Sequence, residues 1–332
     1  MLRYVTYRLL LMIPTLLLIS LVTFTIIELP PGTYLDTMIS ELRASGEAAD
    51  LQKVEFLRQQ YGLDKPLYVQ YWRWLSGLVR GDLGYSFEYD RPVSAIIGEH
   101  LAMTMVISLA AILFTWVVAL PIGVYSATHK YSAVDHSLTF LSFLGLATPD
   151  FLLALVLMFV AFSAFGLSVG GLFSPEMQAA PWGWAKILDL LAHLWLPVLV
   201  IGGSSTAAMI RRLRANLLDE LKKPYVVTAR AKGVPPWRLL IKYPLRIAFN
   251  PFISDIGNIL PQVISGSVIV SIVLSLPTTG PVLLRALRTQ DMQLAGSFLM
   301  LLAVLTVFGV LVSDLALAML DPRIRQGGGR SR

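Results

Sequence analysis

The chain has 332 residues, 55% of them hydrophobic and 14% charged, with a net charge of +6. Soluble domains carry about 25% charged residues, so this sequence lacks the groups needed to cover a water-soluble fold. It has no cysteine, which excludes disulfides, thiolate metal sites and a cysteine nucleophile.

An apolar run of about 20 residues spans a bilayer core. Six occur in chain order: Leu9–Ile27, Leu101–Ala127, Leu138–Phe165, Leu190–Ile210, Pro251–Leu274 and Gly296–Leu320. The expected fold is an all-α polytopic membrane protein with six transmembrane helices and both termini on one side. The first run follows Arg3 and Arg8 like a signal peptide, but it is too long for an h-region and lacks an Ala-x-Ala site. It reads as an uncleaved anchor over residues 1–28, ended by Leu29-Pro-Pro-Gly32. Residues 29–100 form the sizeable polar segment. A surface helix is expected over Ser40–Tyr61, stopped by Gly62, and Trp72 and Trp74 mark a stretch at the membrane interface. In the third run, Thr148-Pro149-Asp150 predicts a kink. His100, His129, His136 and His193 lack the spacing of a zinc site and read as surface groups.

Charge sets the orientation. Glu28–Glu99 has 11 acidic and 7 basic residues, whereas Arg211–Arg246 has 10 basic and 2 acidic residues. Lys and Arg gather in short cytoplasmic loops, so both termini and the basic loop are placed inside and the acidic segment outside. The basic balance is therefore a topology signal. Nucleic acid is excluded as a partner, because no water-facing cluster of basic and aromatic residues is present.

The basic loop has internal order. Ala215–Lys223 and Tyr225–Lys232 favour helix, with an irregularity at Pro224. Gly233 fits the left-handed position after a helix end, and Pro235 and Pro236 fit the start of a further helix through Trp237–Lys242 that meets Pro244. The small Ala229 and Ala231 allow close approach by a partner. From the residues alone, this elbow (216–246) reads equally as a docking surface for a protein or as a loop held to anionic lipid.

Three carboxylates, Asp150, Asp255 and Asp314, lie in or near spans. Intramembrane ionisable groups are functional candidates. Asp255 and Asp314 read as structural; Asp150 reads as a helix cap or as a residue lining a cavity. Gly202-Gly-Ser204-Ser205 with His193 suggests a hydrolase, but three helical turns, roughly 16 Å, would separate the two groups. Close helix packing is the better reading of these small residues. No Gly-x4-Gly-Lys-Ser/Thr phosphate loop occurs, so the energy for any ATP-driven work must come from a partner.

Thr228-Ala229-Arg230-Ala231-Lys232-Gly233, followed by Arg238, Leu245-Arg246 and Pro251, resembles the "EAA" loop of bacterial ABC-importer permeases of the dipeptide and oligopeptide type. Tyr61–Leu67, Gly81–Ser86, Arg91-Pro-Val93, Leu276–Gly280 with Asp291, and Leu320–Ile324 are similar to further stretches of that family. The resemblance implies a non-catalytic permease subunit in the bacterial inner membrane. It implies a second homologous permease, two ATP-binding subunits that carry ATP and Mg, an external solute-binding protein, membrane lipid around the chain and no cofactor within it. It assigns ATPase coupling to Tyr225, Thr228, Ala229, Arg230, Ala231, Lys232, Gly233 and Arg238, with 101–320 as permease core and 321–332 as cytoplasmic tail. The translocation path takes Asp150, Pro277, Gly280 and Asp291. Val227 stands where many relatives have Glu, which removes one carboxylate contact from the carry-over. The cargo would be peptides or similar small solutes, oligosaccharides included. Two rival readings are an ion-coupled transporter using Asp150 or Asp314 and a membrane scaffold whose elbow recruits a cytoplasmic protein.

Overall fold

The computed structural model describes residues 2–29, 34, 38–40, 64–167, 170–253 and 268–320. They are mostly helical. The helices are α1 (Leu2–Glu28), α2 (Leu67–Val79), α3 (Val93–Thr128), α4 (Ala133–Ala147), α5 (Asp150–Phe165), α6 (Pro175–Gln178), α7 (Trp184–Leu221), α8 (Pro224–Ala231), α9 (Pro236–Lys242), α10 (Pro244–Ala248), α11 (Val268–Val273), α12 (Thr279–Arg288) and α13 (Met292–Leu320). Two short strands, β1 (Tyr85–Ser86) and β2 (Arg91–Pro92), pair antiparallel.

Four described helices are long and apolar enough to cross a membrane, five if the bent α4–α5 pair counts as one span. The chain is a polytopic helical membrane protein. The expected fifth span, Pro251–Leu274, falls mostly outside the described residues, as do Asp255, the Ser40–Tyr61 helix and the stretch after Leu320. Large side chains such as Leu18 on α1 and Phe159 and Phe162 on α5 are exposed. Such a surface suits lipid rather than water.

The expected kink at Pro149 is larger than a kink. α4 and α5 bend by 104°, well beyond the roughly 20° at which a helix counts as sharply kinked. Thr148 precedes the proline and is extended, at φ −87° and ψ 122°. Proline crowding disfavours the helical region at that position, so one helix stops and another starts. α7 departs the other way, running well past Ile210 into the basic loop. Arg, Leu, Ala and Glu there are good helix formers, so the hydrogen-bond ladder outlasts the apolar run.

By contact the chain divides into two units. One, the elbow unit, takes Met1–Thr6, Thr104–Pro277 and Phe308–Arg332; the other, the hairpin unit, takes Tyr7–Met103 and Thr278–Val307. In the elbow unit α7 is the spine, contacted by α4, α5, α8, α10 and α11. Leu213, Leu217 and Phe252 are fully buried in its main cluster. Close packing needs the small residues: a Cβ at Gly123 would lie 2.8 Å from Leu213, and one at Gly202 would lie 2.9 Å from Phe114. Gly203 has open space instead, so the packing reading of that pair holds for Gly202. In the hairpin unit, Val93, Ile96, Val282, Ala286, Leu294 and Phe298 form the core.

Candidate functional site

The elbow is built by local rules. α8 begins with Pro224 at its first turn, where the missing N–H costs nothing. Its end is a Schellman motif: Val234 N–H donates to Ala229 O at 3.3 Å and Gly233 N–H to Arg230 O at 3.0 Å. Gly233 takes φ +75°, a left-handed conformation that glycine adopts without penalty. α9 then starts at Pro236 and stops before Pro244.

Val226, Ala229 and Leu239 are buried together, with Val234 and Tyr243 packed against them. This corrects one expectation. Ala229 is an internal packing residue 7% exposed, because its Cβ faces α9; Ala231 remains on the surface. The outward face carries Tyr225, Thr228, Arg230, Lys232 and Arg238, all exposed. Val227 is 54% and Trp237 61% exposed, and the Arg238 guanidinium lies 5.0 Å from the Trp237 ring centre. The result is a rigid two-helix surface with basic groups around apolar ones. Tyr225 donates its hydroxyl hydrogen to Glu220 at the end of α7. Burial, and secondly that bond, push its hydroxyl up to about 12.

Further along α7, Arg214 reaches Asp135 at the start of α4 through two bonds of 2.9 and 2.8 Å. Asp135 is 1% exposed and also accepts the Tyr131 N–H at 2.9 Å. It therefore holds Tyr131, a non-glycine residue at φ +65°. Sequence reading missed this pair; a carboxylate three residues after the N-cap Ser132, whose hydroxyl accepts the Asp135 N–H, was its one local signal.

Of the expected path residues, Asp150 and Pro277 belong to the elbow unit and Gly280 and Asp291 to the hairpin unit. Asp150 opens α5, but Pro149 is the N-cap and no side chain caps the helix. The capping reading thus fails, since the residue sits one position too late. Ser204 donates to the Asp150 carboxylate at 3.5 Å. Pro277 is exposed in the elbow unit, whereas Gly280 is buried in the first turn of α12. The chain turns at Ser275, which takes φ +53°, and leads on into α12.

Asp291 is 0% exposed in the hairpin unit. Its Oδ2 accepts from the Ser86 hydroxyl at 2.6 Å and the Glu88 N–H at 3.2 Å, and its Oδ1 accepts from the Leu294 N–H at 3.2 Å. Within this unit its carboxylate is turned onto the β1–β2 loop. Burial raises its carboxyl above the ordinary range, partly opposed by these bonds. Arg285 of α12 pairs with Glu88 at 2.7 Å. His193 contacts the Asp189 carbonyl at 2.8 Å on its own helix, an arrangement that serves α7 rather than Ser204.

Comparison with known proteins agrees with the helical layout. The pattern of the binding-protein-dependent transport system inner membrane component matches residues 119–326. That of the N-terminal part of such membrane components matches residues 1–110. The oligopeptide transport system permease protein AppB of Bacillus subtilis is 34% identical, over 98% of this chain and 99% of the relative. The glutathione transport system permease protein GsiC of Escherichia coli O6:H1 is 31% identical, with the same coverage of both chains. The dipeptide transport system permease protein DppB of Escherichia coli K12 is 30% identical, again over 98% and 99%. An exposed basic elbow on a polytopic helical frame, matched end to end in this way, makes the chain a member of the binding-protein-dependent transport system inner membrane permeases.

Proposed function

We propose that this permease serves an ATP-driven importer of peptides or similar small solutes. The oligopeptide, glutathione and dipeptide systems named for its relatives support a peptide cargo. The partners are a second homologous permease, two subunits that bind ATP and Mg, and an external binding protein. The chain crosses the membrane six times with both termini inside, a topology supported by the excess of Lys and Arg in Arg211–Arg246. Residues 1–28 form the anchor, 29–100 the external segment, 101–320 the permease core and 321–332 the tail. Among the path candidates Pro277 is exposed and Asp150 partly so.

The observation that carries the proposal is the elbow. α8 and α9 form a small rigid body with its own apolar centre, joined through two residues to the long helix α7. A partner that grips the exposed face of Tyr225, Arg230, Lys232 and Arg238 therefore moves a membrane-crossing helix. This is how the closure of an ATPase would tilt the spans.

Gly233→Val tests it. A Cβ at Gly233 meets nothing within 4 Å, so the change brings backbone strain of about 1–2 kcal/mol without a clash. We expect the variant to insert and assemble yet lose substrate-stimulated ATP hydrolysis in the complex. Full stimulation in the assembled variant would contradict the proposal. Reporter fusions at Lys223 and Asp64 should label inside and outside respectively; the reverse would sink the topology.

A further inference from the structure

A cavity of about 410 Å³ lies in the hairpin unit, framed by the end of α1, by α2 and by the start of α13. Small-molecule sites span about 300–1,000 Å³. One wall is aromatic: the rings of Phe24 and Trp74 are 5.8 Å apart. The charged groups around it are Glu28, Arg73 and Asp82. Among the described residues, the half-buried Glu28 carboxylate has no hydrogen bond or ion pair; the exposed Arg73 guanidinium has no hydrogen bond, though its charge is felt by Asp64. Asp82 has one oxygen engaged, accepting the Gly84 N–H at 3.0 Å. The indole Nε1 of Trp74 is buried without a partner.

Burying a charge without a partner is costly; Glu28 is such a half-buried charge, and the exposed Arg73 stands at the rim of the same hollow. An acid beside two aromatic faces suits an ammonium, which gains from the carboxylate and from the rings. A guanidinium at the rim suits a phosphate or carboxylate. Glycine at 84 and 296 belongs to the same design. A Cβ at Gly84 would come 2.6 Å from the Gln293 amide, and one at Gly296 would come 3.1 Å from the Trp74 ring, so side chains there would intrude on the walls.

We infer that this cavity binds a small zwitterion, its ammonium at Glu28 and the Phe24–Trp74 wall and its anionic group at Arg73. Two sources share that chemistry: the headgroup of a phosphoethanolamine lipid and a free amino acid or peptide. The inference does not depend on the transport reading.

The test uses the purified full-length chain in detergent and follows thermal stabilisation with four probes. These are short-chain phosphatidylethanolamine, short-chain phosphatidylglycerol, glycylglycine and ethanolamine. At least one zwitterion should bind roughly tenfold tighter than phosphatidylglycerol or ethanolamine, the difference of one charge-assisted contact. Stabilisation by the lipid alone assigns a membrane source, by glycylglycine alone a soluble one, and by both the shared chemistry. Equal stabilisation by phosphatidylethanolamine and phosphatidylglycerol with none by glycylglycine, or no response to either zwitterion, overturns the inference. Glu28→Gln and Arg73→Gln should each weaken zwitterion binding roughly tenfold, and wild-type binding by both variants would also overturn it. Because the wild-type probe comparison decides without any variant, a substitution that fails to fold does not rescue the idea.

Discussion

Asp135 in the elbow unit and Asp291 in the hairpin unit are both almost completely buried, yet they are satisfied in opposite ways. Asp135 is held by a guanidinium in a two-bond clamp. Asp291 is held by a hydroxyl and two amide groups, with no cation bonded to it among the described residues. The first arrangement ties two helices by charge, so removing the cation leaves a buried anion. The second ties a loop to a helix start by neutral donors, each of modest worth. Charge therefore clamps the helix that leads to the elbow, and a neutral network shapes the hairpin.

The comparison can be broken at its strongest point first. Arg214→Gln strands Asp135 and should cost about 3–5 kcal/mol in unfolding of the detergent-solubilised chain. Adding Asp135→Asn should recover part of that loss, a coupling read from the double-mutant cycle. Simple additivity would mean that the clamp carries no pairing energy. Asp291→Asn should cost less, about 1–3 kcal/mol, by setting an amide donor among donors. The Arg285–Glu88 pair, whose arginine is exposed, should matter least: Arg285→Ala should cost about 1 kcal/mol and less in high salt.

Acidity sharpens the same contrast. Burial raises the Asp291 carboxyl, so just above the ordinary carboxylate range the folded chain keeps a proton that the unfolded chain has lost. Stability should therefore fall as pH rises through that window and level off above it. Asp291→Asn should flatten that slope in a pH series of unfolding midpoints. Tyr225, with its hydroxyl pushed up to about 12, should stay protonated where free tyrosine ionises near 10. Phenolate absorbance compared with Tyr225→Phe would show this.

The elbow was legible in one dimension. Pro224, Gly233, Pro236 and Pro244 act on their own backbones, and α8 and α9 begin and end where those residues require. The four long apolar helices were legible for the same kind of reason, since a run of apolar side chains is a local property. The 104° turn at Pro149 was read too weakly, because whether a helix resumes straight after a proline depends on what packs beside it. Ala229 was placed on the wrong side of α8 for a similar reason: a small residue suits a partner's approach and a tight internal contact equally well.

By itself, then, the sequence determined a polytopic helical membrane protein, the inward placement of its basic loop as an expectation, and the punctuation of the elbow. Each follows from forces acting within a few residues or from summed charge. Tertiary structure decided which carboxylates are anchors and with what. Ser86 and Asp291 meet across 205 positions, and Asp135 and Arg214 across 79. A single carboxylate carries no local mark of its distant donor; the folded packing supplies the partner and excludes the water that would otherwise have served.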